Sequence, residues 1–130
     1  MFGKKRQPPI RSLIAFGTQI CGGLMFTDGL RVDGSVNGDI SANLERPSLL
    51  VISESANVLG EIHADHVIIN GKVNGPVFAH ELLELQPKAH IDGDVHYKAL
   101  EMHQGAVISG QLKPMAVGDK PALKLAANNA

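Results

Sequence analysis

The sequence predicts an all-β fold, a β-helix (β-solenoid) of about six coils. A short frame of aliphatic, any residue, Gly, any residue, aliphatic recurs six times at intervals of 15 to 22 residues, which is typical of repeat architectures. Apolar and polar residues alternate through each copy, as in strands with one buried face. Aromatic residues make up only 4% of a chain that is 44% hydrophobic, which suits a narrow aliphatic interior. The central glycines are Gly22, Gly38, Gly60, Gly75, Gly93 and Gly110.

Each copy of the frame predicts one coil of about three short strands, each paired with its counterpart one coil further on, about 4.8 Å away. The glycine marks a corner where backbones approach closely. The aliphatic residues before the glycine form one inward column, and those after it form another. The two columns are Ile20, Val36, Val58, Val73, Ile91, Ile108 and Leu24, Ile40, Ile62, Val77, Val95, Leu112. The longest interval contains the polar segment 43–48, which predicts an outward loop.

Asn-Gly and Asp-Gly pairs also allow a meander or a sandwich, because such pairs favour tight hairpin turns. However, Gly34 and Gly38 lie only four residues apart, as do Gly71 and Gly75. Hairpins at these positions leave strands of about two residues, below the usual range of roughly 3–10. The solenoid is therefore favoured.

Charge and proline positions divide the chain into three parts. Residues 1–15 carry four basic residues and no acidic residue, and we expect a flexible arm there. Residues 16–114 form the predicted β-helix domain. Residues 115–130, which follow Pro114 and are rich in small residues, are expected to be a flexible tail.

Composition excludes several classes of protein. A net charge of -1 argues against a nucleic-acid partner. The single Cys21 has no disulfide partner in the chain, and we interpret it as a small core or corner residue. No apolar run reaches the roughly 18 residues of a membrane span, and the basic start lacks the apolar stretch of a secretory signal. These observations predict a cytoplasmic protein.

The six copies together resemble the bactofilin family of bacterial cytoskeletal proteins, with segments 30–40 and 90–95 especially similar to its repeat. The resemblance covers residues 16–114. It implies a right-handed β-helix that polymerises into filaments without nucleotide and a peripheral location at the inner face of the cytoplasmic membrane. It also implies a contribution to cell shape, with cell-wall enzymes or other scaffold proteins as partners beside the chain itself.

The start of the chain resembles the short membrane-binding peptide of that family. Its expected membrane-binding residues are Met1, Phe2, Lys4, Lys5 and Arg6. An insertable aromatic side chain next to cations favours anionic lipid, at about 1 kcal/mol for each cation near the surface.

Both ends of the solenoid are predicted to be adhesive. A solenoid presents an unpaired strand edge and an apolar layer at each end unless a polar cap covers them, and the sequence offers no amphipathic capping helix. The predicted polymer interface comprises Phe16, Ile20, Leu24 and Phe26 in the first coil and Leu100, Met102, Ile108 and Leu112 in the last. We expect end-to-end stacking.

No residue pattern predicts a catalytic, cofactor or metal site. His63 and His96 occupy the same position in their coils, but Phe78 holds it in the coil between them, so the two histidines are too far apart to share a zinc ion. His63 and His66 have no apparent third ligand. We expect all six histidines to be exposed on the outer face, and the acids that follow the corner glycines, such as Asp39 and Asp94, to form a solvated edge.

Two other functions stay open. The enzymatic alternative is a hexapeptide-type left-handed β-helix acyltransferase or a carbonic-anhydrase-like trimer. Its strict six-residue spacing fails here, since Ile69 and Val73 are four residues apart. The other alternative is a monomeric solenoid adaptor that binds only protein partners.

Overall fold

The computed structural model describes residues 7–115, and within this range the chain is made only of strands and the turns between them. All strand pairs are parallel, and the strands form a β-solenoid of about six turns, so the predicted fold class is confirmed. The strands are β1 (Ile10–Ile14), β2 (Gln19–Cys21), β3 (Leu24–Phe26), β4 (Gly29–Val32), β5 (Ser35–Asn37), β6 (Ile40–Ala42), β7 (Leu49–Ile52), β8 (Asn57–Leu59), β9 (Ile62–Ile69), β10 (Lys72–Asn74), β11 (Val77–Leu85), β12 (His90–Asp92), β13 (Val95–Met102), β14 (Val107–Ser109) and β15 (Leu112–Pro114).

These strands make three faces. One is a six-stranded sheet in the order β14-β12-β10-β8-β5-β2. The other two are joined, because the long strands β9, β11 and β13 each continue from one face into the next. Their pairing shifts register at this bend, between Ala79 and Leu82. Parallel pairing between coils thus covers every face of the solenoid.

The two predicted inward columns are confirmed residue by residue. Val58, for example, pairs with Val36 on one side and Val73 on the other, and all three are buried. In the second column, Ile40 pairs with Ile62, and both are fully buried. The interior is therefore a stack of aliphatic side chains in register, and the burial of apolar area stabilises it.

Glycine is required at the corner that follows the first of these columns. Gly60 has φ +152°, and a Cβ there would lie 2.5 Å from the carbonyl carbon of Gly38 and closer still to its oxygen. The amide of Gly38 in turn donates to the carbonyl of Leu59 at 2.8 Å. The corners of successive coils therefore stack backbone on backbone, where a side chain does not fit.

The solenoid begins earlier than predicted. Residues 10–14 were expected to belong to the flexible arm 1–15, but they form β1 and pair with β4. Within β1, Ser12 and Ile14 lie opposite the buried Leu30 and Val32, whereas Arg11 is exposed. The basic charge thus sits on the outer side and does not prevent strand pairing. Residues 1–6 and 116–130 lie outside the described residues, and the right hand of the helix stays a prediction.

Cys21 also differs from its prediction as a core or corner residue. It is exposed at the end of β2, where it pairs with Asn37 in an outward column. Residue 21 directly follows the inward-facing Ile20, and alternation along a strand turns it to the opposite side.

Candidate functional site: the ends and outer faces of the solenoid

The last coil exposes side chains whose counterparts in the preceding coil are buried. Leu112 is 47% exposed, whereas its register partner Val95 is fully buried. Met102 is exposed and pairs with the buried Leu85. The other predicted interface residues of this coil, Leu100 and Ile108, are half-buried and pack against the core. The inward columns therefore continue to the end of the described solenoid and leave an apolar layer there.

The first coil shows a similar layer. Ile20 and Leu24 are half-buried, while their partners Val36 and Ile40 are fully buried. Phe16 lies in the turn after β1 and is 79% exposed, which makes it a large apolar surface at this end. Phe26 was also predicted to lie in the interface, but it is only 9% exposed.

The small side chain paired with Phe26 explains its burial. Its register partner is Ala42, and the ring belongs to the core cluster. Because interiors are packed without large voids, an aromatic ring next to an alanine fills interior space. Phe26 thus contributes to core packing more than to the exposed end layer.

The N-terminal segment lies along the side of the solenoid. The side-chain amide of Gln7 donates to His66, with Nε2 to Nδ1 at 3.1 Å, and the carbonyl of Pro9 lies against Gly29. His66 belongs to β9, in the middle of the stack. The predicted membrane-binding residues Met1 to Arg6 lie outside the described residues, but the chain that leads to them reaches a lateral face and not an end.

The predicted exposure of all six histidines is wrong for those on one outer face. The rings of His63 and Phe78 stack with centroids 4.4 Å apart, and those of Phe78 and His96 with centroids 4.3 Å apart. The Nε2 atom of His63 also donates a hydrogen bond to a carboxylate oxygen of Glu61 at 3.0 Å. In-register pairing of β9, β11 and β13 places these flat rings one above another, which buries part of each ring.

His80 lies beside this ring stack with its Nε2 buried and without a hydrogen-bond partner. Its ring centroid is 6.1 Å from that of His63. Burial lowers the pKa of the His80 imidazole below its usual value of 6.5, because desolvation penalises the charged form. The site therefore favours the neutral ring over the charged one.

The acids after the corner glycines do not form the simple solvated edge that was predicted. The carboxylate of Asp39 accepts the amide of Glu61 at 2.9 Å, and that of Asp94 accepts the amide of Gln111 at 2.9 Å. Each acid thereby joins its own coil to the next. The Gln111 amide, followed by Lys113, holds the pKa of Asp94 below its usual range.

A groove of about 680 Å³ lies on the face formed by β4, β7 and β9. Arg31 and Asp33 line it and pair with each other at 2.9 Å. Hydrogen bonding from Ser53 is the main factor that lowers the pKa of Asp33. The residues that line the groove include no histidine, lysine or cysteine.

One cluster of candidate ligands was missed by the sequence analysis. The Nε2 atom of His103 lies 3.5 Å from a carboxylate oxygen of Glu84 and 3.5 Å from one of Glu101. Glu84 and Glu101 are register partners on β11 and β13. In the sequence, the two glutamates lie one repeat apart. Their direct pairing could be recognised only with knowledge of how β11 and β13 pair after the bend in β11.

Within residues 7–115, no helix is long and apolar enough to cross a membrane. Residues 12–113 match the family model of Bactofilin, which is described as polymer-forming cytoskeletal. No curated protein and no solved structure gives a significant match to the chain.

Proposed function

Because this chain belongs to the bactofilin family of polymer-forming cytoskeletal proteins, we propose that it is a non-enzymatic scaffold that assembles end to end into filaments. Assembly needs no nucleotide. The filaments lie on the inner face of the cytoplasmic membrane, where they contribute to cell shape and to the localisation of cell-wall enzymes.

The exposed apolar side chains of the last coil are the main support for end-to-end assembly. Leu112 and Met102 belong to columns whose members are buried in every coil that has a neighbouring coil on both sides. Another copy stacked on this end supplies that coil, and it also supplies hydrogen-bond partners for the outermost strands β14 and β15. The gain is apolar burial, at roughly 25 cal/mol per Å², together with pairing of the strand edges.

The lateral course of the N-terminal segment supports membrane attachment that does not compete with assembly. Gln7 contacts His66 in the middle of the stack, so the arm before it starts from the side of the rod. Every subunit of a filament can then present Phe2 and its neighbouring cations to the same surface. One weak anchor binds marginally, but many anchors on one filament bind with avidity.

Sedimentation and negative-stain microscopy without nucleotide test the assembly. We expect wild type to pellet as filaments, and Leu112→Arg to stay in the supernatant with its β-sheet circular dichroism unchanged. A buried unpaired charge costs several kcal/mol at each junction. The matched control is Val107→Arg, because Val107 is 45% exposed in the same coil but faces outward, opposite the exposed His90.

Filaments of Leu112→Arg that match wild type, or a loss of filaments in Val107→Arg alone, would contradict growth through the end layer. Discrete trimers of wild type would instead favour the acyltransferase or carbonic-anhydrase alternative. Monomers would favour the adaptor.

Flotation with anionic liposomes tests the membrane arm. We expect wild type to float and the combined variant Phe2→Ala, Lys4→Ser, Lys5→Ser to remain at the bottom. A variant with Lys88→Ser and Lys98→Ser removes the same positive charge from the body of the solenoid and should still float. Equal flotation of wild type and the arm variant would refute this role of the arm.

A further inference from the structure

Glu84, Glu101 and His103 lie together on one outer face near the C-terminal end, and their ligand atoms are all within 4.8 Å of one another. Glu84 belongs to β11. Glu101 is the penultimate residue of β13, and His103 directly follows that strand. We propose that these three side chains bind a divalent transition-metal ion, with Zn²⁺ as the best match. Neither the family nor the proposed scaffold function assigns such a site.

The spacing of the three side chains fits a chelate better than a hydrogen-bonded ion pair. His103 Nε2 lies 3.5 Å from each carboxylate, whereas N–H···O hydrogen bonds span roughly 2.7–3.2 Å. In a tetrahedral zinc site with bonds of about 2.0–2.1 Å, neighbouring ligand atoms are roughly 3.3–3.4 Å apart. The imidazole therefore already has nearly the separation from both carboxylates that a shared zinc ion requires.

The register of the strands supplies a second argument. Glu84 and Glu101 are direct partners on adjacent parallel strands, so their negative charges are held about one strand spacing apart. Like charges that face each other in a sheet are destabilising. A cation between them removes this repulsion, and a neutral histidine completes the ligand set without adding charge.

Gln86 further supports the site by holding one ligand in place. Its side-chain amide donates to Glu84, which orients that carboxylate as outer partners of metal ligands commonly do. One imidazole with two carboxylates is a set that suits Zn²⁺, whereas Mg²⁺ and Ca²⁺ prefer oxygen ligands alone. Glu101 and His103 are exposed, so the fourth ligand position faces solvent.

The proposed ion would join the last coil to the one before it, since Glu84 lies in the penultimate coil and the other two ligands belong to the last. Bound metal then stabilises the coil that carries the C-terminal end layer, because a ligand that binds only the folded form raises its stability. The binding itself is independent of whether the chain forms filaments.

The test is titration of the chelator-treated full-length chain with Zn²⁺, followed by calorimetry, and with Co²⁺, followed by its visible absorption. We expect His103→Gln and Glu101→Gln each to weaken one binding event by at least about tenfold, equivalent to about 1.4 kcal/mol. They should also lose the intense Co²⁺ bands of tetrahedral coordination. The matched control is His90→Gln, because His90 is exposed on a different face, in β12.

Other histidines that bind zinc do not obscure the result, since the comparison is between each variant and wild type. Unchanged stoichiometry and affinity in both His103→Gln and Glu101→Gln would overturn the proposal. An equal loss in His90→Gln would do the same. Circular dichroism of each variant without metal establishes that a loss of binding is not a loss of folding.

Discussion

Replacement of Gly60 by alanine tests how closely the coils approach at their corners. The added Cβ would lie 2.5 Å from the carbonyl carbon of Gly38 and 2.9 Å from the carboxylate of Asp39. The nearest atoms belong to the backbone, which cannot move aside as a flexible side chain can. The neighbouring coil must therefore shift, together with the hydrogen bond from the Gly38 amide to the carbonyl of Leu59.

Two costs contribute to the expected loss of stability in Gly60→Ala. The backbone has φ +152°, and a non-glycine residue in such a region costs on the order of 1–3 kcal/mol. Forcing an extra carbon into a closely packed position costs about 1–3 kcal/mol more. The sum, roughly 2–6 kcal/mol, is a large part of the stability of an ordinary domain, about 5–15 kcal/mol.

Gly22→Ala is the matched control, because it separates the two costs. Gly22 occupies the same corner in the first coil with φ +120°, but a Cβ there meets nothing within 4 Å. It therefore carries the backbone cost without the overlap. Urea unfolding of the unassembled fraction, followed by circular dichroism, should show Gly60→Ala to be less stable than Gly22→Ala by about 1–3 kcal/mol. Equal losses in the two variants would refute close stacking as the reason for glycine at this corner.

The same pair of variants also bears on assembly. A Cβ on Gly38 or Gly60 points at the preceding coil, so a Cβ on Gly22 points off the free end. If another copy continues the coil spacing at that end, Gly22→Ala should fold but pellet less than wild type. Full-length filaments of Gly22→Ala would show that the junction is wider than the spacing between coils.

Three further predictions concern the core and the ring stack. Leu50→Ala should lower the free energy of unfolding by about 2–5 kcal/mol in urea titrations, because Leu50 is fully buried. The control Leu59→Ala, on the outer surface of the same coil, should lower it far less. Phe78→Ala should lower the free energy of unfolding by about 1–3 kcal/mol, because the ring stacks on two neighbours. The control Met25→Ala, at an exposed side chain, should lower it by at most about 0.5 kcal/mol, and equal losses would contradict a role for the stack. Because burial lowers the pKa of His80, the unfolded chain binds the proton first, so stability should fall as the pH drops below about 6.5; His80→Gln should flatten this dependence in urea midpoints measured across that range.

The columns beside the corner glycines were predictable because glycine marks the register directly. Each of these residues lies two positions from a glycine that no other residue type replaces, so counting along the chain reproduces the pairing in space. The structure therefore confirms both columns, from the half-buried Ile20 to the exposed Leu112.

The columns on the other faces were harder to predict because the corner between them and the six-stranded sheet differs in length from coil to coil. At Asp33-Gly34 and Asn70-Gly71 the chain turns within two residues, whereas at Ser53–Ala56 it takes a four-residue turn closed by the amide of Ala56 on the carbonyl of Ser53 at 3.0 Å. A position counted back from the residue that ends this corner therefore falls in one column where the corner is short and in another column where it is long. Leu30 pairs with Leu50, and not with Ile52 as equal corners would require.

The same difference in length hid the candidate metal ligands. His103 begins one of the long turns, with the amide of Ala106 donating to its carbonyl at 3.2 Å. Glu84 and Glu101 lie beyond the register shift between Ala79 and Leu82. The proximity of these outward side chains can be predicted only if the length of the turn and the position of the register shift are both known. Neither feature leaves a pattern in a single sequence.

The apolar end layers, unlike the metal ligands, were predictable, because the apolar pattern of the inward columns continues into the outermost coils. A monomeric solenoid needs polar residues in the inward columns of its outermost coils, since those columns face water there. The first coil has one such residue, Ser12, opposite the buried Leu30. The last coil keeps Leu100, Ile108 and Leu112 in columns where water would favour polar residues. Within residues 7–115 the C-terminal layer is therefore the more apolar of the two, and the proposed end-to-end assembly would cover it with the first coil of another copy.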